Sequence, residues 1–142
     1  MAERAVLLEE FLDQEWAGGH TLSFKRLKKK RLKIHGHCHQ KAFGTVNASV
    51  RMLERIPDLT VEEIPSGCCG MAGAFGYQAE HHDVSMAMAE LDLLPAVRGA
   101  DETTEIVASG TSCRAQIRDG TGREALHPAV VLQRAILRPS DG

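Results

Sequence analysis

Four cysteines, Cys38, Cys68, Cys69 and Cys113, are the residues of this sequence whose type and number point most directly to chemistry. Four thiols can close a tetrahedral zinc site or ligate one iron–sulfur cluster. Two structural disulfides are a competing use of four cysteines, but they belong to oxidising compartments. Met1 to Leu12 mixes acids with apolar residues and lacks the basic-then-apolar order of a secretory signal, so a reducing, cytoplasmic setting is expected. Two further readings stay open. A lone cysteine is often a small buried hydrophobe, and the adjacent Cys68 and Cys69 could act as a thiol switch, although a disulfide between neighbours strains the backbone.

The residues around the thiols suit a metal or cluster. Gly36, Gly67, Gly70, Gly73 and Gly110 flank them and allow close approach of backbone N–H groups to sulfur. Arg114 and Lys41 can offset the negative charge of several thiolates. Adjacent ligands are awkward around a single zinc ion. They fit more easily around a cluster, whose separate metal atoms can each take one thiolate. His35, His37 and His39 straddle Cys38, and alternation along an extended segment puts the three histidines on the face opposite Cys38. They are expected to support the ligands or to face solvent, as is His127; His37, His127, Gly70, Ser112 and Arg114 are the supporting residues expected around the centre. His81-His82 reads as surface, and Met71, Met86 and Met88 as core filling.

Helices and strands must bring these residues together. Residues 3–16 predict an amphipathic helix, with Ala5, Leu8, Phe11, Leu12 and Trp16 at three- and four-residue steps, stopped by Gly18-Gly19. The basic run from Lys25 to Arg31 lacks interleaved aromatics and reads as a solvated linker rather than a nucleic-acid surface. Strands are expected at Leu32–His35, Leu59–Ile64, Glu105–Ala108 and, briefly, Ala125–His127. Between them lie a helix capped by Thr45 and carrying Val46, Val50 and Leu53, one with Val84, Met88 and Leu91 in register, and short helices near Pro95–Ala100 and Ile117. Pro128 opens a last helix with Val131, Leu132, Ala135 and Ile136. The expected division is a helix and basic linker over residues 1–30 and a cysteine-bearing domain over residues 31–142.

Strands alternating with helices make an α/β fold: a parallel sheet of about four strands with helices on both faces. Right-handed crossovers bring every strand's carboxyl end to one edge, where such sheets bind ligands. Cys38, Cys68–Cys69 and Cys113 each follow a different strand, so all four are expected on loops at that edge. The 142 residues are enough for a buried core, and a net charge of −2 gives no general bias toward nucleic acid or anionic membrane. No apolar stretch approaches the roughly 20 residues of a membrane span. No Gly-x-Ser-x-Gly, Walker loop, His-Glu-x-x-His or Gly-x-Gly-x-x-Gly is present, so no catalytic residue is assigned.

Three segments, His35–Ala42 (HGHCHQKA), Ser66–Gly73 (SGCCGMAG) and Gly110–Cys113 (GTSC), resemble the cysteine-rich CCG domain. That domain occurs in heterodisulfide reductase, in iron–sulfur subunits of glycolate, lactate and glycerol-3-phosphate oxidases, and at the C-terminus of FAD-linked dehydrogenases acting on 2-hydroxy acids. Ser66–Val84 and Ser112–Ile117 are most similar to the last group, and the resemblance covers about residues 30–137. It implies that Cys38, Cys68, Cys69 and Cys113 ligate a cluster that passes electrons from a flavin to an acceptor. Many members carry Cys-x-x-Cys where this chain has Cys113 and Gln116, which favours an ordinary four-iron cluster, or zinc, over a non-cubane one. Members often carry two such domains, so this chain looks like a separated piece or a stand-alone relative. The resulting expectation is an electron-transfer module of a flavin-linked 2-hydroxy-acid dehydrogenase system. FAD would lie on a partner subunit or a missing region, with a separate electron acceptor, and the module would be cytoplasmic or peripheral to a membrane through its partners. A structural zinc domain and a vicinal-dithiol disulfide reductase are the alternatives.

Overall fold

The structure is a computed structural model, and residues 5–138 are described. Its centre is a parallel sheet of β1 (Arg31–His35), β2 (Thr60–Glu63) and β3 (Thr104–Ala108), in the order β2-β1-β3. The register pairs Ile34 with Glu63 on one side, and Ile34 with Val107 and His35 with Ala108 on the other. The α/β class and parallel sheet expected from the sequence are present. The expected fourth strand shrinks to one parallel bridge between Val107 and Leu126, because Pro128, which has no N–H to donate, opens a helix directly after His127.

Pleating sends β3 residues to opposite faces. Val107 joins Leu32, Ile34, Met52, Leu53, Ile56, Trp16, Val131 and Leu132 in one core; Ile106 and Ala108 join Ile64, Met71, Leu93, Val97 and Ile117 in the other. The first core is covered by α1 (Leu8–Ala17), α3 (Val46–Glu54) and α7 (Pro128–Ala135). The second is covered by α4 (His82–Leu91), α5 (Leu93–Arg98) and α6 (Thr111–Thr121). A five-residue helix, α2 (Cys38–Ala42), follows β1.

Local chemistry explains the boundaries. Pro128 opens α7 behind His127, whose Nδ1 accepts from the Ala129 amide at 3.1 Å. Gly122 closes α6 at φ 71°, where a side chain would be strained. Arg123 then donates to four carbonyls, of Val97, Ala100, Asp101 and Thr104, and so ties the turn before β3 to the end of α6. Thr45 precedes α3 as expected, but its hydroxyl turns back to the Gln40 carbonyl instead of capping the helix.

Two helices differ from the periodic reading. Residues 3 and 4 of the expected first helix lie outside the described residues, and within those described α1 begins at Leu8. Leu8 and Phe11 are exposed, while Trp16 is buried edge-on to Phe24 at 5.7 Å. On α4 the buried face is Ser85 and Ala89, and Val84, Met88 and Leu91 face outward. At Ser85 the cause is close approach: a Cβ on Gly70 or Gly76 would overlap Ser85, so a large side chain there has no room. The basic run is tied down by ion pairs of Arg26 with Asp58 at 2.7 Å and Lys29 with Glu105 at 3.6 Å. Its start is bridged to the end of α7 through Phe24 and Ile136.

Candidate metal centre

The carboxyl ends of β1, β2 and β3 converge on the cysteines, though not all on loops. Cys38 is the first residue of α2 and Cys113 lies in the first turn of α6, while Cys68 and Cys69 lie in the loop after β2. Helix capping reaches both positions: His37 and Gln40 make a reciprocal cap for α2, and Gly110 precedes α6.

Two groups of side chains result. His35, Cys69 and Cys113 are buried, and a ring nitrogen of His35 and the two sulfurs all lie within 4.8 Å of one another. Cys38 and Cys68 are half-buried. All four cysteines are unpaired. The Gly70 amide donates to Cys68 Sγ at 3.3 Å. Lys41 donates to the Ser66 carbonyl and, at 3.0 Å, to the Gly67 carbonyl, bracing the loop that carries the vicinal pair.

The thiols feel one another strongly. The neighbouring Cys113 thiol brings the Cys69 thiol down to about 4 despite its burial, with the Met71 amide acting the same way. Cys113 moves the opposite way. Its proton is held first by the neighbouring Cys69 thiol, then by burial and by the negative charge of Cys69, Cys38 and Cys68. Burial raises Cys38 first, then the neighbouring Cys68 thiol and the charge of Cys68 and Cys69 raise it further, while Lys41 opposes. Two buried thiols beside an imidazole, one low in pKa and one held protonated, are donors that a cation would draw on together.

Close approach governs the surrounding loops. Gly70 has φ +86°, and a Cβ there would lie 2.0 Å from the Ser85 carbonyl oxygen. At Gly110 a Cβ would meet His37 Cδ2 at 2.7 Å and Cys113 Sγ at 2.8 Å, so this glycine makes room for the sulfur.

No family model and no solved structure matches this chain. One subunit of the anaerobic glycerol-3-phosphate dehydrogenase from Escherichia coli K12, its C component, is 30% identical over 120 residues, 83% of this chain and 29% of that protein. The chain is similar to part of larger dehydrogenases. D-2-hydroxyglutarate dehydrogenase of Pseudomonas putida is 34% identical over 107 residues, 72% of this chain and 10% of that enzyme, and its E. coli K12 counterpart is 35% identical over 72 residues. The chain thus spans under a third of these relatives, all redox proteins by name, and its Cys–His group supports metal or cluster binding.

Among the expected supporting residues, His37 caps α2 and lies against Gly110, Gly70 contacts Cys68, and Ser112 is half-buried beside Cys113. Arg114 holds the Ala108 and Ser109 carbonyls at 2.9 and 2.7 Å. His127 is occupied as the α7 cap. His81 is half-buried rather than surface, its ring stacked on Phe75 at 4.0 Å, and Met88 is exposed rather than core.

His35 is the residue that sequence reasoning placed on the wrong side. Alternation through His39 requires an extended segment, but α2 starts at Cys38, so the two-residue period ends with β1. His35 points to the face opposite Leu32 and Ile34, which is the face of Cys69 and Cys113. The usable signal was the apolar Leu32 and Ile34, which fix the face of β1 that His35 must avoid.

Proposed function

We propose that this chain is an electron-transfer module of a flavin-linked 2-hydroxy-acid dehydrogenase system, holding one iron–sulfur cluster, of four-iron type, on Cys38, Cys68, Cys69 and Cys113. The observation that carries the reading is the buried group of Cys69, Cys113 and His35, whose ligand atoms lie within 4.8 Å of one another, with the unpaired, half-buried Cys38 and Cys68 following the ends of β1 and β2. The dehydrogenase relatives support a redox role. When bound, the cluster supplies one-electron transfer. The chain's own residues bind and orient it: Gly70 offers an amide to sulfur, Lys41 braces the vicinal loop, and Arg114 fixes the turn ahead of Cys113. Flavin chemistry and substrate oxidation belong to a partner subunit or to sequence outside this chain, and the half-buried Cys38–Cys68 side is where electrons enter or leave. No helix among the described residues is long and apolar enough to cross a membrane. On this reading the module works in a reducing, cytoplasmic setting, with any membrane association through partners.

Zinc is the second reading, favoured by the compact Cys69–Cys113–His35 trio, which matches a mixed thiolate and imidazole site. Anaerobic purification followed by iron, sulfide and zinc analysis separates the two. A brown protein absorbing near ~400 nm and bleaching on reduction is expected, from thiolate-to-iron chemistry. Colourless protein with one zinc would replace this reading with a structural metal domain. Turnover of a disulfide substrate by metal-free chain would replace it with a dithiol reductase.

A further inference from the structure

His35 is fully buried, yet half of its polar chemistry has no protein partner. Its Nδ1 meets Ser66 Oγ at 2.8 Å; its Nε2 is buried with no hydrogen-bond partner among the described residues. The Nδ1 contact is the short one at this hydroxyl, whose other contacts, from Lys41 Nζ and to the Ile64 carbonyl, are both 3.4 Å. With Nδ1 engaged by Ser66, Nε2 is the ring nitrogen left for a further partner, and a ring nitrogen of His35 lies within 4.8 Å of the sulfurs of Cys69 and Cys113.

An imidazole with one nitrogen anchored to a protein oxygen and the other left without a protein partner beside two cysteines has the arrangement of a metal ligand with its orienting partner. A buried polar nitrogen without a partner otherwise costs about 1–3 kcal/mol, so its position needs a cause. We propose that His35 Nε2 is a direct ligand of the metal centre, bound beside Cys69 and Cys113, with Ser66 as its positioning residue. This rests on the metal-centre reading above and changes its ligand set: a four-iron cluster takes one terminal ligand per iron, so His35 stands in place of one of the half-buried thiols, Cys38 or Cys68. Gln116, the other buried polar side chain at this end of α6, is unavailable: its amide donates to the Ser85 carbonyl and hydroxyl.

The test is pulsed electron paramagnetic resonance on the full chain, purified anaerobically and reduced, with histidine at natural abundance or labelled with 15N. The expected result is one strongly coupled nitrogen that changes isotope with the label, persists in His37→Ala and is lost in His35→Gln. His35→Cys is expected to keep its iron and to shift the reduction potential downward, since an anionic thiolate replaces a neutral nitrogen. Ser66→Ala is expected to keep the nitrogen signal but lower the fraction of sites filled. If the chain takes zinc, absorption-edge fine structure reads the same nitrogen. A metal-loaded wild type without coupled nitrogen, or a signal that survives His35→Gln, overturns the proposal and leaves the thiolate centre standing. A chain that binds neither iron nor zinc overturns both. If the His35 variants do not fold, a labelled nitrogen that persists in His37→Ala, His39→Ala and His127→Ala supports the proposal, and its loss in any one of these overturns it.

Discussion

Replacing Gly70 by alanine isolates the geometry that places the vicinal thiols. Gly70 holds φ +86°, a conformation that costs an L-residue about 1–2 kcal/mol. Its missing Cβ would overlap the Ser85 carbonyl group, with oxygen at 2.0 Å and carbon at 2.9 Å. Those atoms are α4 backbone, so no rotamer change relieves the overlap, and overpacking of this kind typically adds about 1–3 kcal/mol. Alanine returns about 0.4–1 kcal/mol by restricting the unfolded chain. The net expectation is a loss of about 2–4 kcal/mol from a total stability on the order of 5–15 kcal/mol. Gly67→Ala is the control, because no atom lies within 4 Å of its Cβ position and no positive φ is needed. The assay is urea unfolding of the metal-free chain, run beside iron loading of the same variants. Gly70→Ala should unfold at clearly lower urea and load less iron; equal midpoints for the two variants would refute the close-approach argument.

Arg123→Ala removes four carbonyl contacts around the α5–β3 turn and should lower stability by about 2–3 kcal/mol, read as a fall in melting temperature. Trp16→Ala empties the seat of α1, where Trp16 meets Phe24 and the Arg55 guanidinium at 5.2 Å; a loss of about 3–5 kcal/mol would show the first helix to be integral to the core, and a neutral result would show it to be an appendage. His127 is held below its ordinary range by burial first, with Arg114 adding to the effect and Glu9 opposing. Its neutral form caps α7, so its contribution should be complete above about pH 6.5 and decline as the pH falls through that value toward the lower folded pKa. His127→Asn, which keeps a capping side chain, should flatten this part of the stability–pH profile; an unchanged slope would sink the assignment.

Much of the architecture is legible in the chain. Leu32 and Ile34, Ile106 and Val107, and the capping signals at Pro128 and Gly122 mark elements by local rules that the tertiary structure leaves intact. The faces of α4 were not legible, because periodicity counts apolar residues, whereas Ser85 and Ala89 were selected by lack of bulk. A stripe of large apolar residues and a stripe of small ones compete for the interior, and at Ser85 the close approach of Gly70 and Gly76 favours the small one. Strand Ala125–His127 failed for a related reason: it is long enough for one bridge to β3 before His127 and Pro128 begin a helix.

The centre shows the same division between what spacing reveals and what packing adds. Four cysteines after three strands imply convergence because parallel topology places strand ends together, and this needs no side-chain detail. Whether a histidine joins them depends on one face of one strand. β1 is the middle strand, covered on both sides, so neither of its faces is polar by default. Its register settles the matter: Ile34 beside Val107 commits even-numbered positions to the α3–α7 core, and His35 beside Ala108 goes to the other side with Cys69 and Cys113. A fully buried histidine in the last position of a central strand is therefore a consequence of placing Leu32 and Ile34 correctly. Moving the helix start by two residues, so that β1 extended to His37, would bring His37 to that face as well, since residues two apart share a face. The early start of α2 at Cys38, enforced by the His37–Gln40 cap, is what keeps His37 off it and leaves the position to His35.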